Sequence, residues 1–178
     1  MKIHRGVVEL DAIDRGILEG LQDNCKQSLA VLGEKVGLSA PSVVDRIHKL
    51  EETGVIRGWA AQLDARRVGK DVTAFIGVST DRPAAIRSVG REVAVIDEVL
   101  ECHHITGSHT LMLKLKTRST ETLEGLIDRV RDLDGVTRTE TMVVLSTHVE
   151  RSRISFSEEA DTDDDPAMQH KGRRRSAG

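Results

Sequence analysis

The order of periodic segments between residues 72 and 147 most constrains what this chain can fold into. Four stretches with alternating apolar residues predict strands, at 72–79, 99–106, 110–116 and 136–147. Two stretches with apolar residues at helical spacing predict helices, at 82–93 and 119–133. The resulting order β-α-β-β-α-β is that of ferredoxin-like folds, which carry helices on one face of the sheet. Apolar residues that also point to the other face favour packing of one sheet against another.

The first 55 residues predict three short helices. Each begins after a residue that can cap it, namely Asp11, Ser28 and Ser39. The tight "VGLS" connection between the second and third helices predicts a helix-turn-helix. Gly33 in the second helix has two interpretations, which stay open: it lets another helix cross closely, or it is only a weak helical position. The stretch 55–69 is predicted to be a strand and connector.

These patterns predict an α+β protein of two domains. The predicted boundaries are a helix-turn-helix domain at 1–62, a linker at 63–70, a βαββαβ domain at 71–150 and a disordered tail at 151–178. The tail ends in the basic run "HKGRRR", which either adds non-specific phosphate contacts or is simply solvated.

Composition excludes few functions, but it limits the evidence on which each can rest. No apolar run approaches the ~20 residues of a membrane span, and the N-terminus lacks the apolar core of a signal peptide. The two cysteines have no metal-binding spacing, so we expect reduced thiols in the cytoplasm, with no metal and no cofactor. The net charge is −3, and residues 1–70 carry a net charge of only +1. Binding to nucleic acid must therefore be argued from geometry.

The third helix is predicted to divide its residues between a buried and an exposed face. This third helix is the second helix of the helix-turn-helix motif. If Val43, Ile47 and Leu50 point inward, it offers an exposed stripe to the major groove. The predicted DNA-contacting residues are Ser39, Ser42, Asp45, Arg46 and Lys49. Arg46 suits a guanine edge or a phosphate, and Lys49 suits a phosphate. Asp45 either accepts from a cytosine amino group or pairs with Lys49.

Three stretches of the chain resemble those of a known family. "LDAIDRGILEGLQDN", "VGLSAPSVVDRIHKLEETGVIRGWAAQLD" and "ITGSHTLMLKL" together resemble the leucine-responsive/asparagine-regulator (Lrp/AsnC) transcription factors, over about residues 8–148. The resemblance implies a winged helix-turn-helix and a βαββαβ (RAM/ACT-like) domain that senses an effector. It also implies a prokaryotic, sequence-specific regulator that binds double-stranded DNA as a homodimer or an octamer.

The family's effector loop lies between the second and third strands of the sensing domain. Its usual pattern is Gly-x-x-Asp followed by an aromatic residue, with the acid near the amino group of the effector. Here Thr110 stands at the position of the acid, and its hydroxyl supplies no counter-charge. The predicted effector-binding residues are Gly107, Ser108, His109 and Thr110, but a plain amino-acid zwitterion is not the predicted ligand. His109 is either an exposed turn residue or a group that favours an anionic or pH-dependent ligand.

Two other functions compete with a DNA-binding regulator. Siroheme decarboxylases share a similar two-domain layout, but their His-Asn-Tyr signature is absent here. His103 and His104 would point to opposite faces of a strand, so they cannot jointly bind one metal ion. We therefore predict no catalytic residues and no enzyme. A sensing module that assembles without DNA is the other alternative, and the polar stripe of the third helix argues against it.

Overall fold

A computed structural model describes residues 3–4 and 7–156. The described elements are β1 (Ile3–His4), β2 (Val7–Val8), α1 (Ala12–Asp23), α2 (Leu29–Val36), α3 (Ala40–Glu52), a 3₁₀ turn (Arg66–Val68), β3 (Val72–Thr80), α4 (Pro83–Val93), β4 (Val99–His104), β5 (Leu111–Thr117), α5 (Thr120–Arg131) and β6 (Val136–Val143). The chain forms two compact units. One contains residues up to 60 together with the segment from 151, and the other contains 61–150.

The three N-terminal helices begin where their caps predict. The Asp11 carboxylate accepts from the backbone N–H of Asp14 at 2.7 Å, and the hydroxyls of Ser28 and Ser39 accept from the third residue of their helices. Their apolar stripes meet in one core, formed by Ile17, Leu18, Leu32, Val43 and Leu50. The predicted helix-turn-helix is confirmed.

Gly33 is required by the turn between α2 and α3. A Cβ placed on Gly33 would lie 2.4 Å from the carbonyl oxygen of Leu38, because the chain doubles back against the helix there. The backbone N–H of Leu38 in turn donates to the carbonyl of Gly33 at 2.9 Å. The close-packing interpretation of Gly33 is therefore the one that the structure supports.

The predicted strand between residues 55 and 69 does not form. Residues 55–65, all of them described, contain neither helix nor strand, and a 3₁₀ turn follows. Val55 and Ile56 pack against the helical core instead, since β-prone residues need a partner strand to form a ladder. Trp59 is half-exposed, and its indole N–H donates to Glu51 at 2.9 Å.

Residues 151–156 return to the N-terminal unit. The Gln22 side chain accepts from the backbone N–H of Ile154 at 2.7 Å and donates to its carbonyl at 3.0 Å. Arg153 lies 3.4 Å from the Asp23 carboxylate, and Phe156 packs against the helical core. Five of these six residues are exposed, but the contacts of Arg153, Ile154 and Phe156 hold the segment against the N-terminal unit, in contrast to the disordered tail predicted from 151. The rest of the predicted tail, 157–178, lies outside the described residues.

The second unit is a four-stranded antiparallel sheet in the order β4-β5-β3-β6. The split arrangement predicted from the order of elements is confirmed. Alternate strand residues pack against α4 and α5 to form a second core, whose centre contains Ala74, Ile76, Val78, Leu111, Leu113 and Leu115. The remaining strand side chains form what we call the open face: Thr73, Phe75, Gly77, Ser79, Glu101, His103, Met112, Lys114, Lys116, Arg138, Glu140 and Met142.

Candidate DNA-binding and effector surfaces

The outer face of α3 includes Asp45, His48 and Lys49, with Ser42 at its flank. Val43 and Leu50 are fully buried, and a helix turns about 100° per residue, so these side chains lie on the opposite side. The first three are exposed and Ser42 is half-buried. The predicted DNA-contacting residues do not include His48, although the helical period places its side chain on the side of α3 opposite Val43.

Two of the predicted DNA-contacting residues, Ser39 and Ser42, already form hydrogen bonds within α3. The Ser39 hydroxyl caps α3 and lies 2.9 Å from the Ser42 hydroxyl. These hydroxyls therefore order the first turn of the helix. Further along, no ion pair joins Asp45 to Lys49 in the described part of the chain, so the exposed ammonium of Lys49 is not neutralised by this neighbour.

Arg46 does not lie on the outer face, contrary to the predicted stripe. Its guanidinium donates to the carboxylate of Asp11, the cap of α1, and to that of Asp14 at 2.9 Å. Arg46 follows the buried Val43 by three residues, which turns its side chain toward α1 rather than outward. The hydrogen bond from Arg46 lowers the pKa of Asp11, and the hydrogen bonds to Asp11 and Asp14 raise the pKa of Arg46. The guanidinium thus joins α3 to α1.

The predicted effector loop has an exposed tip, Gly107 and Ser108, followed by two residues that contact the sheet, His109 and Thr110. Gly107 has a φ of +119°, and both Gly107 and Ser108 are exposed. Thr110 is tied to β3, because its backbone N–H donates to Val78 at 2.8 Å and its hydroxyl accepts from the backbone N–H of Thr80 at 3.3 Å. The hydroxyl that stands in place of the family's acid is therefore used inside the fold.

His109 is buried, so its interpretation as an exposed turn residue is wrong. Its side chain is 8% exposed and lies on the open face against Gly77. A Cβ at Gly77 would approach the ring to 2.4 Å, so only glycine leaves room for it. The Nε2 atom lies 3.4 Å from a Glu140 carboxylate oxygen, whereas Nδ1 is buried without a hydrogen-bond partner among the described residues. The loop is thereby linked to the sheet.

A network of charged groups occupies the other end of the open face. Glu150 contacts Lys114 at 2.9 Å and Lys116 at 3.0 Å, while Glu101 contacts Lys114 and His103 at 3.1 Å each. The hydrogen bonds from Lys114 and Lys116 lower the pKa of Glu150, and those from His103 and Lys114 lower the pKa of Glu101. Residues 144–150 follow the sheet after β6, and with it they line an open cleft of about 360 Å³ beside Phe75.

The two adjacent histidines of β4 point to opposite sides of the strand, His103 onto the open face and His104 away from it. Within residues 3–4 and 7–156, no three His, Cys, Asp or Glu side chains are grouped as a metal site would require. Burial raises the pKa of the Cys102 thiol, which favours its unreactive protonated form. No helix in the same ranges is long and apolar enough to cross a membrane.

Comparison with known proteins agrees with this arrangement. Residues 10–51 match the AsnC-type helix-turn-helix domain, and residues 73–154 match the Lrp/AsnC ligand binding domain. The chain is 33% identical to the HTH-type transcriptional regulator FL11 of Pyrococcus horikoshii, over 83% of this chain and 97% of that protein. It is 31% identical to the regulatory protein AsnC of Escherichia coli, over 80% of this chain and 95% of that one.

Solved structures show the same two-unit chain. The structure of E. coli AsnC superposes with a TM-score of 0.77 at 30% identity, covering 82% of this chain and 99% of that one. A transcriptional regulator of Neisseria meningitidis in complex with L-methionine superposes with a TM-score of 0.79 at 27% identity, covering 84% and 98%. The fold of this chain is therefore shared along nearly the whole length of these relatives. The chain belongs to the Lrp/AsnC family of helix-turn-helix transcriptional regulators.

Proposed function

We propose that this regulator contacts DNA through the outer face of α3. The observation that carries the proposal is the division of α3: its apolar side is buried, while Asp45, His48 and Lys49 are exposed. Lys49 and His48 are suited to phosphates, and Ser42 at the flank to a phosphate or a base edge. Arg46 holds α3 against α1 in this proposal and is a positioning residue rather than a base reader.

Gel retardation with the DNA upstream of the protein's own gene tests this proposal. A protein held by phosphates loses affinity steeply as salt rises. We expect retardation at low salt and weaker binding in the variant Lys49→Ala. The control Lys35→Ala removes an exposed lysine of α2, which lies outside the outer face of α3. Absence of retardation at low salt would contradict the proposal.

We further propose that the open face joins two copies of the chain. Phe75, Met112 and Met142 add apolar area to this face, and Met142 is 40% exposed. Sheets that pack face to face bury such residues. Light scattering on the purified chain should give at least a dimer, and Met142→Glu should shift the chain toward the monomer. Val95→Glu is the matched control, since Val95 is also exposed but lies just after α4.

The 107–110 loop is the proposed effector site. Its proposed ligand is a small metabolite without an ammonium group that the protein would have to pair with a carboxylate. Thr110 lacks the charge and is engaged with Thr80, which supports this choice. A ligand that binds only the folded protein raises its melting temperature. The ligands to compare are L-methionine, the other amino acids and the corresponding 2-oxo acids. A rise with L-methionine would contradict the exclusion of plain amino acids.

A further inference from the structure

Two helices of the second unit, here called the sensing unit, present a surface that the open face does not include. Val89 and Val93 of α4 share one core with Leu126 and Val130 of α5, so both helices cover the same side of the sheet. The open face lies on the other side of that sheet. The sides of α4 and α5 that point away from the sheet therefore form a separate surface, which we call the helix surface.

The helix surface is positive along α4. Arg87 precedes the buried Val89 by two residues and Arg91 follows it by two, so a helical period of about 100° per residue turns both away from the sheet. Both are exposed, and neither guanidinium has an ion-pair partner among residues 3–4 and 7–156. Glu92 is also exposed, but it follows Val89 by three residues and so lies nearer to the sheet. The outward side of α4 thus carries two positive charges.

The helix surface is negative along α5. Its outward side chains are exposed and spaced by three or four residues: Glu121, Glu124, Asp128 and Asp132, the last of which is the C-cap of the helix. Arg131 lies 3.8 Å from Asp128, but both side chains are more than half exposed, so the pair is weak. Arg129 follows the buried Leu126 by three residues, which turns it toward the sheet. The outward side of α5 therefore carries a net negative charge.

These charges are arranged unfavourably for the helices that carry them. Arg87 and Arg91 are four residues apart, as are Glu124 and Asp128, and like charges at this spacing repel. Asp128 also lies in the last turn of α5, where the helix dipole favours cations. Gly125 is exposed in the middle of the same helix, and a Cβ placed on it would have nothing within 4 Å. No contact within the described residues requires a glycine there, whereas the close approach of another helix would.

We propose that the helix surface joins two copies of the chain, with α4 of each copy packed against α5 of the other. The partner is a second copy because the surface carries both signs side by side. A two-fold axis parallel to the helices places each positive helix opposite a negative one, so that both are matched at once. A foreign partner of a single sign would match only one of the helices. The inference goes beyond the proposed function, since it depends on neither DNA binding nor the open face.

The directions of the strands determine how these helices would pair. β3 and β4 both run antiparallel to β5, and β5 and β6 both run antiparallel to β3, so the connecting helices α4 and α5 run in opposite directions. A two-fold axis parallel to the helices preserves these directions, and the facing helices are therefore antiparallel. With their midpoints aligned, Arg87 faces Asp128 of the other copy and Arg91 faces Glu124. Symmetry makes each of these pairs occur twice.

Charge reversal tests the proposal in the full-length chain. The acidic variant carries Arg87→Glu and Arg91→Glu, and the basic variant carries Glu124→Arg and Asp128→Arg. Sedimentation velocity at low and at high salt measures the association of each chain alone and of the two variants mixed in equal amounts. All four residues are exposed, and equal unfolding curves would show that the fold is unaffected.

Each variant alone should associate less, and the mixture should recover. Like charges brought face to face oppose association, so the dissociation constant of either variant alone should rise at least about tenfold. In the mixture, the acidic helices of one chain face the basic helices of the other, so association should return to within about threefold of the unaltered chain. High salt should weaken association of the unaltered chain, because exposed ion pairs are screened.

The control variant carries Arg66→Glu and Arg67→Glu. It makes the same change in net charge as the acidic variant, at exposed residues of the 3₁₀ turn, and it should associate like the unaltered chain. Two results would overturn the inference: unaltered association of both charge variants, or a mixture that associates no better than its components. Met142→Glu separates the two surfaces, because it should leave the salt-sensitive association in place. If Met142→Glu alone changes association, the open face stands and the helix surface is refuted.

Discussion

Arg46 and Asp14 form an ion pair of 2.9 Å between α3 and α1, and the Asp14 carboxylate is only 7% exposed. A buried carboxylate that loses its partner is costly, so this pair fixes how the proposed DNA-contacting helix is held. The same guanidinium also bonds the cap of α1, Asp11. Position 46 therefore links the stability of the unit to the placement of its DNA-facing helix.

Replacing Arg46 by alanine should lower the free energy of unfolding. Asp14 would remain nearly buried without its cation, at a cost of roughly 1–3 kcal/mol. Urea denaturation followed by circular dichroism measures the change. Lys49→Ala is the matched control, because Lys49 is exposed on the same helix and should leave the unfolding curve within about 0.5 kcal/mol. Equal stability of Arg46→Ala and the unaltered chain would refute this role.

In the folded proteins, Lys49→Ala should affect DNA binding more than Arg46→Ala does. Removing the Lys49 ammonium should reduce the salt slope by about 0.9, the value for one phosphate contact, on any DNA sequence. Anisotropy titrations at three or more salt concentrations give this slope. If Lys49→Ala binds with an unaltered slope, the ammonium does not contact a phosphate.

Gly33→Ala should destabilise the helix-turn-helix. The added methyl group would lie 2.4 Å from the Leu38 carbonyl oxygen, which belongs to the backbone and cannot move without opening the turn. We expect a loss of roughly 1–3 kcal/mol in unfolding free energy. Gly90→Ala in α4 is the control: nothing lies within 4 Å of its added Cβ, so the gain in helix propensity should stabilise the protein by up to about 1 kcal/mol. Thermal and urea denaturation should rank the two variants in opposite directions.

Phe156→Ala should weaken the N-terminal unit although it lies near the far end of the described chain. Its ring packs against the three-helix core, and loss of a partly buried aromatic side chain costs roughly 1–3 kcal/mol. Ile154→Ala provides the comparison, because that side chain is 69% exposed and the segment uses its backbone groups. Hydrogen exchange at α1 amides should accelerate in Phe156→Ala alone. Similar protection in both variants would show that the ring contributes little.

Acid should weaken the open face through Glu150. Its pKa is lowered in the folded protein by Lys114 and Lys116, so its contribution is complete above the ordinary value near 4.3 and is lost as pH falls through the lower, folded value. We expect Glu150→Gln to reduce the loss of unfolding free energy below about pH 4.3, by no more than roughly 1 kcal/mol because the group is half-exposed. Denaturation series from pH 3 to 6 measure this difference, and parallel curves would exclude the effect.

Local signals predicted the elements well because they act over a few residues. Asp11 and Ser28 cap helices where the sequence places them, since a cap depends on its own first turn. Arg46 and His109 were misplaced because their partners are distant in sequence. Asp14 lies 32 residues from Arg46, and Gly77 makes room for His109 only once β3 has paired with β5. The helical period distinguishes buried from exposed positions, but it does not show that a carboxylate on another helix will pair with the side chain.

The return of residues 151–156 to the N-terminal unit has a consequence for biosynthesis. A ribosome makes the three helices first, the whole sheet second and Phe156 after both. The helical core therefore acquires its final aromatic side chain only after the sensing unit has emerged. A chain that stops before Phe156 carries α3 on an incompletely packed helical core, so the order of translation delays the final packing of this core until the sheet has been made.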